Sequence, residues 1–156
     1  MKWKKTTLAA ATFVAVGTLA TSSIATATPG SGSAPSTPLV IGTLDGPQKT
    51  EADGIEFKTK GDVAVVDFEL TYNPLGYSGW HAHPGIVIAT VKSGQVQRRL
   101  GCEPAQTFNV GDTFTEVGPH FVSNPSDTTP AVLSITQIVP ASDVGARRID
   151  LPDPGC

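Results

Sequence analysis

The sequence has little positive charge and, after residue 20, no apolar run long enough to span a bilayer. The whole chain holds 11 Lys and Arg against 14 Asp and Glu, a net charge of −3. Beyond the N-terminus, the only adjacent basic residues are Arg98-Arg99 and Arg147-Arg148. Because nucleic-acid-binding surfaces and anionic lipid surfaces both require clustered basic residues, the composition predicts no nucleic-acid partner. It also argues against a membrane-spanning domain.

The first residues have the composition of a secretory leader. Lys2, Lys4 and Lys5 precede an apolar stretch from Leu8 to Ala20, and Ala25-Thr26-Ala27 fits an A-x-A cleavage site. Residues 1–27 are therefore predicted to be a signal peptide, and the protein is predicted to be secreted and free of the membrane after cleavage. Removing three lysines from the 11 basic residues leaves eight against 14 acidic ones, a net charge of −6.

Two further parts are predicted after the leader. Residues 28–38 are rich in Pro, Gly, Ser and Thr and are expected to be a flexible linker. Residues 39–156 are long enough for one domain with its own core, and they end in the tail Pro152-Asp153-Pro154-Gly155-Cys156.

Cysteine is scarce, with Cys102 and Cys156 the only two in the chain. In an oxidising compartment the simplest interpretation is a disulfide between them, which would tie the C-terminal tail to the domain. Two free thiols are the alternative.

The pattern of turns and short apolar runs predicts an all-β fold. Gly and Pro recur every eight to twelve residues between β-branched or aromatic runs, and helical periodicity is absent. The stretch from Asp62 to Tyr72 alternates most clearly, which is typical of a strand with one buried face. Gln95–Leu100, after the turn at Gly94, is expected to return beside the preceding strand as a hairpin.

The run Ile86–Val91 is apolar at both alternating sets of positions. It is therefore expected to be a central strand, covered on its outer side by a second sheet or by a partner subunit in a homodimer.

All three histidines fall where they could share one ligand. His81 and His83 are two residues apart and so point to the same face of an extended strand. His120 comes 37 residues after His83, a separation across which a folded sheet can bring back a distant strand. A single histidine in a strand is more often a hydrogen-bonded or surface residue, but the combination favours a metal site. Imidazole suits iron, manganese, zinc, copper and nickel, so the metal is left open.

The residues around these histidines resemble the motifs of the cupin superfamily, and the resemblance extends from about Val63 to Val139. The first motif matches at His81, His83 and Gly94, preceded by Gly79 in Gly-Trp-His-Ala-His-Pro-Gly. In the second motif Gly111, His120 and Asn124 fit, although Val117-Gly118-Pro119 replaces its middle and the stretch is two residues short. The resemblance implies a single-domain antiparallel jelly-roll barrel with the three histidines as metal ligands, and Asn124 is expected to hold a turn.

One ligand of the family pattern is missing from its usual place. The position where cupins usually carry a glutamate ligand falls on Val87 or Ile88. The remaining three-histidine set resembles the sites of cupin thiol dioxygenases and diketone-cleaving dioxygenases. Glu116 is a conceivable substitute, but an acid at a turn before a motif is more often solvated surface, and this is the interpretation adopted for it.

The sequence therefore predicts an exported, metal-binding cupin that acts on an unidentified small molecule, with dioxygenase-type chemistry if it is an enzyme. The alternative is a cupin without catalytic activity that binds a small molecule or has a structural role. The sequence leaves the choice between enzyme and binding module open.

Overall fold

The computed structural model describes residues 27–156. The predicted signal peptide, apart from Ala27, lies outside the described residues. Within the described part of the chain, no helix has the length and apolar character needed to cross a membrane.

Short antiparallel strands make up most of the described chain, and one 3-10 helix, Ala141–Ala146, follows the last long strand. The strands are β1 (Ser31–Pro35), β2 (Val40–Leu44), β3 (Lys49–Ala52), β4 (Ile55–Lys58), β5 (Val63–Tyr77), β6 (His81–Ala82), β7 (Ile86–Ser93), β8 (Gln95–Leu100), β9 (Gln106–Asn109), β10 (Thr113–Glu116), β11 (His120–Ser123), β12 (Ala131–Pro140) and β13 (Ile149–Asp150). The strands β3 and β4 form a separate two-stranded hairpin.

The long strand β5 connects the two halves of the main sheet. Its first part pairs with β12, which in turn pairs with β7, and β7 pairs with β10. Its last residue, Tyr77, pairs instead with Ser123 of β11, whose other neighbours include β6 and β8. One strand therefore takes part in both halves, and the sheet bends into a nearly closed antiparallel barrel. The predicted all-β jelly-roll barrel is confirmed.

The hairpin predicted around Gly94 is wrong. Strand β8 leaves β7 at this turn and pairs with β9 and β11 in the opposite half of the barrel. Gly94 has a φ of +71°, and an added Cβ would lie 2.6 Å from the carbonyl oxygen of Pro130. A tight glycine turn therefore serves here to send the chain across the barrel rather than back along the same sheet.

Inward-facing aliphatic residues of both halves form the core. On β5 the alternation predicted from the sequence holds, with Val66 and Tyr72 buried and Asp67 exposed. The main cluster consists of Tyr72, Val87, Ala89, Val91, Val96, Phe114, Val122, Ala131, Leu133 and Ile135. This period of two is what an antiparallel sheet with one dry face requires.

The expectation of a flexible linker is wrong for residues 31–35. These form β1, which pairs with β5, and the amide of Ser36 donates to the carbonyl oxygen of Glu69 at 2.8 Å. The composition of the segment is too polar for a core. Main-chain hydrogen bonds do not depend on side-chain polarity, so an edge strand can still be added there.

The outward-facing side chains of β7 are only partly covered by the rest of the described chain. Val87, Ala89 and Val91 point into the core, whereas Ile86 and Ile88 are 48% and 38% exposed. The predicted burial of both faces therefore does not occur within the described chain, and a covering subunit stays a prediction.

The C-terminal tail returns to the barrel beside β6. Strand β13 pairs with β6, placing Asp150 opposite His81, and the amide of Leu151 donates to the carbonyl oxygen of Trp80 at 2.9 Å. Cys102 and Cys156 form a disulfide with their Cα atoms 5.6 Å apart. The tail is thus attached both by a strand pairing and by a covalent bond.

Candidate metal centre

The three histidines and Glu116 meet inside the barrel. One potential ligand atom from each lies within 4.8 Å of those from the other three. Their rings are close, with centroid separations of 4.1 Å between His81 and His120 and 4.8 Å between His81 and His83. The pairing of β6 with β11 sets His81 directly opposite His120, so sheet closure assembles residues that are far apart in sequence.

Each histidine ring is oriented by a backbone carbonyl group at its Nδ1 atom. The carbonyl oxygens belong to Gly79 for His81 at 3.0 Å, to Gly118 for His120 at 2.8 Å, and to Arg147 for His83 at 2.6 Å. A carbonyl oxygen only accepts hydrogen bonds, so Nδ1 carries the proton and donates it. In the neutral ring the Nε2 atoms are then unprotonated, and their lone pairs are available to a metal.

His120 Nε2 is the most telling atom of the cluster. It is buried, and among residues 27–156 it has no hydrogen-bond partner. The nearest charged atom is Oε2 of Glu116 at 3.3 Å, and the same oxygen lies 3.6 Å from Nε2 of His83. An unprotonated nitrogen and a carboxylate oxygen are both acceptors and do not bond each other. A cation between them would satisfy both.

The carboxylate enters the site from a neighbouring strand. Glu116 on β10 pairs with Val87 on β7, one of the two positions at which the cupin pattern would carry its glutamate. Directly opposite residues of an antiparallel pair share one face, so the carboxylate reaches the same space from the adjacent strand. The interpretation of Glu116 as solvated surface is wrong, since the residue is only 6% exposed. Its position four residues before His120 was the signal available in the sequence.

Burial and neighbouring charges determine the protonation of the cluster. Burial, followed by His120 and Arg148, lowers the pKa of His81 to about 3, so this ring is neutral at physiological pH. For Glu116 burial raises the pKa, but hydrogen bonds and positive charge from His120 and His83 in their protonated forms outweigh burial and hold the pKa well below its ordinary range. A metal ion bound in place of these protons would keep the carboxylate ionised in the same way. The centre therefore presents a neutral imidazole from His81 and an anionic carboxylate.

This donor set fits a divalent transition metal. Three imidazole nitrogens and one carboxylate oxygen are ligands for iron, manganese, zinc, copper and nickel, and they do not single out one of these metals. The carbonyl groups behind the imidazoles supply the outer hydrogen bonds that metal-ligating histidines usually have.

The remaining motif residues support the site without contributing ligand atoms. Gly79 has a φ of +71°, and a side chain there would overlap the carbonyl oxygen of Thr28. The buried Asn124 amide donates to the carbonyl oxygen of Thr129 at 2.8 Å and accepts from the amide of Ser126 at 3.0 Å. Gly111, with a φ of +91°, lies in the turn between β9 and β10.

A cavity of about 380 Å³ adjoins the cluster. His81, His83 and Glu116 line it, whereas His120 lies behind them and is fully buried. Much of the rest of its wall is apolar and comprises Pro35, Phe68, Leu70, Val87, Leu133 and Ile135. This is the low end of the volume range of small-molecule sites.

Polar groups of the cavity come partly from residues that the sequence did not single out for the site. Tyr72 and Gln137 line the wall, and Arg147, Arg148 and Asp150 reach it from the tail. Burial, followed by the negative charge of Glu116, raises the pKa of Tyr72 far above its ordinary value, so its hydroxyl stays protonated. Only the return of the tail along β6 brings the two arginines to the cavity.

Comparison with known proteins found no matching protein-family model and no matching curated protein. Among solved structures, an oxalate oxidase has 21% identity and a TM-score of 0.41 over 51% of this chain and 47% of its own. A cupin-like protein from Thermotoga maritima has 20% identity and a TM-score of 0.46 over 60% and 79%. The chain is similar to cupins.

A DMSP lyase from Ruegeria pomeroyi has 14% identity and a TM-score of 0.47 over 71% of this chain and 50% of its own. The chain thus spans about half the length of that lyase and of the oxalate oxidase. With TM-scores below 0.5, none of these similarities indicates a reaction, and the functional argument rests on the side chains of this protein.

Proposed function

We propose that this protein is an exported cupin that binds a divalent transition metal through His81, His83, His120 and Glu116 and acts on a small molecule in the adjoining cavity. One observation carries the proposal. The buried His120 Nε2 and the Glu116 carboxylate lie 3.3 Å apart with no proton to share in the neutral ring, an arrangement that calls for a cation.

The chemistry proposed is of the oxygenase type. A metal with three nitrogen ligands and one oxygen ligand can keep open positions, where it supplies Lewis acidity or redox activity. The protein's own residues have separate roles. His81 and Glu116 stay neutral and anionic respectively, the aliphatic wall excludes water, and the protonated Tyr72 hydroxyl can donate a hydrogen bond to a bound molecule.

Export is proposed from the leader-like N-terminal sequence. The disulfide between Cys102 and Cys156 supports it, because such bonds persist mainly in oxidising compartments.

Elemental analysis of the full chain, expressed without affinity histidines, tests the metal site. We expect about one transition metal ion per chain in the parent and a large loss in His120→Ala and Glu116→Gln. Glu103→Gln, which changes an exposed acid outside the cavity, is the matched control and should keep the parent's metal content. Folded parent protein that takes up no iron, manganese, zinc, copper or nickel would contradict the proposal and leave a non-catalytic binding or structural domain.

A further inference from the structure

Two consecutive arginines of the tail reach the cavity, and one of them is held by hydrogen bonds that do not use all of its donor groups. Arg148 donates from Nε to Oδ1 of Asp150 at 2.6 Å and from Nη2 to the carbonyl oxygen of Ser78 at 2.5 Å. Its Nη1 group takes part in neither contact. The guanidinium is therefore fixed by two hydrogen bonds while part of its donor edge stays available in a cavity-lining residue.

The hydrogen bonds of Arg147 are made to other residues of the protein near the cavity wall. Its Nε donates to Oε1 of Gln137 at 3.1 Å and its Nη1 to the carbonyl oxygen of Val144 at 2.7 Å. Its own carbonyl oxygen accepts from His83. Arg147 thus orients the wall of the cavity, and Arg148 is the better placed of the two to meet a bound molecule.

The charge of the cavity favours an anion once a metal is present. Without metal, the carboxylates of Glu116 and Asp150 balance the two arginines. A divalent ion adds two positive charges and leaves the cavity with a net charge of about +2. An anionic group would neutralise part of this excess, and a planar carboxylate matches the geometry of a guanidinium.

Another part of the cavity wall has a different chemistry. Leu70, Leu133 and Ile135 present aliphatic surface, with Phe68 beside them. A dicarboxylate with one carboxylate at each end of an apolar chain would leave one charge against these side chains without a partner, which is costly. A single carboxylate with a short apolar chain would satisfy both sides.

We propose that the cavity binds a small amphipathic monocarboxylate, with its carboxylate toward Arg148 and the metal ligands and its apolar chain against Leu70, Leu133 and Ile135. This assignment names the substrate class of the proposed metal site and so rests on the proposed function. It makes Arg148 a residue that determines specificity through its charge.

Isothermal titration with hexanoate tests the assignment, with hexanamide as the uncharged probe of nearly equal shape. The full chain is titrated both loaded with metal and after chelation, and its metal content is measured in parallel. We expect the loaded protein to bind hexanoate at least about tenfold more tightly than hexanamide, the size of one charge-assisted hydrogen bond.

Variants separate the role of Arg148 from that of the metal. Arg148→Gln should reduce the preference for hexanoate about tenfold while metal content and thermal midpoint stay close to those of the parent, and Arg148→Lys should recover part of it. Arg99→Gln is the matched control, because Arg99 lies over the Trp80 ring, 5.8 Å from its centroid, and does not line the cavity.

Each outcome has a distinct meaning. Equal binding of the two probes, no binding of hexanoate, or an unchanged preference in folded Arg148→Gln would overturn the monocarboxylate assignment. A parent without metal would overturn the proposed function instead. In that case the contact with Arg148 is still decided on the chelated protein, whose cavity charges balance. A weaker preference for hexanoate that disappears in Arg148→Gln supports the contact, and equal binding of the two probes overturns it.

Discussion

Glu116 of β10 lies directly opposite Val87 of β7, and its carboxylate reaches the three histidines from the strand beside the one on which the cupin pattern would carry it. Two positions on paired strands can thus deliver a carboxylate to the same space, because facing residues of an antiparallel ladder project to one side.

The first prediction concerns these two facing positions as alternative places for the carboxylate ligand. Glu116→Val should lower metal affinity more than tenfold, since even outer groups of a metal site cost 10- to 100-fold when removed. The double change Glu116→Val with Val87→Glu should recover a substantial part of the loss. Competition with a chromogenic chelator measures both affinities, and a double variant no better than the single one would show that the Val87 position cannot reach the metal.

The second prediction concerns pH and the metal-free protein. The folded pKa of His81 is about 3 against an ordinary value of 6.5, so the unfolded chain binds more protons than the native state between these values. The contribution of His81 to the free energy of unfolding should therefore be fully present above about pH 6.5. This contribution should be lost progressively as the pH falls toward about 3. Urea unfolding at several pH values measures the slope.

A matched variant isolates the contribution of His81 to this slope. His81→Asn removes the titrating group, so its stability should decline less steeply over the same pH interval, although other buried groups still contribute. Parallel curves for the parent and His81→Asn would contradict the assignment of the slope to this ring.

The third prediction concerns the disulfide between Cys102 and Cys156. Replacing both cysteines by serine should destabilise the protein by up to about 4 kcal/mol, the chain-entropy value for a loop of 54 residues. Metal affinity should also fall, because the loosened tail supplies the Arg147 carbonyl group that orients His83. Thermal unfolding and chelator competition measure the two effects.

A loss of stability alone could lower metal affinity, so a second variant is needed for comparison. Val96→Ala removes two methyl groups from a fully buried side chain on β8, outside the cavity lining. It should lower the thermal midpoint while leaving metal affinity close to that of the parent. Equal losses of metal affinity in both proteins would indicate a general effect of stability and not a role of the tail.

The fourth prediction concerns Gly79, whose carbonyl group orients His81. Gly79→Ala should reduce both stability and metal content, because the new Cβ would overlap the Thr28 carbonyl group in addition to the strain of a positive φ. Gly101→Ala is the control, since its φ of +48° is also positive but no atom lies within 4 Å of an added Cβ. If the two variants lose equal stability and metal, the close approach to Thr28 has no separate effect.

Several errors of the sequence interpretation have one physical cause. The alternation on β5 was predictable because it is local, and a strand with one dry face repeats every two residues. Whether β8 would return beside β7, or residues 31–35 would join β5, depended on which edges were open elsewhere in the sheet. No pattern within those segments encodes that information.

The sequence by itself determined the all-β class and singled out His81, His83 and His120, because strand periodicity and motif spacing are properties of neighbouring residues. Only the tertiary structure decided that Glu116 joins them and that the tail brings Arg147 and Arg148 to the cavity. Those positions follow from the registers of β10 with β7 and of β13 with β6. Registers between distant strands are set by packing of the whole barrel, so the fourth ligand and the charged side of the cavity exist only once the chain is folded.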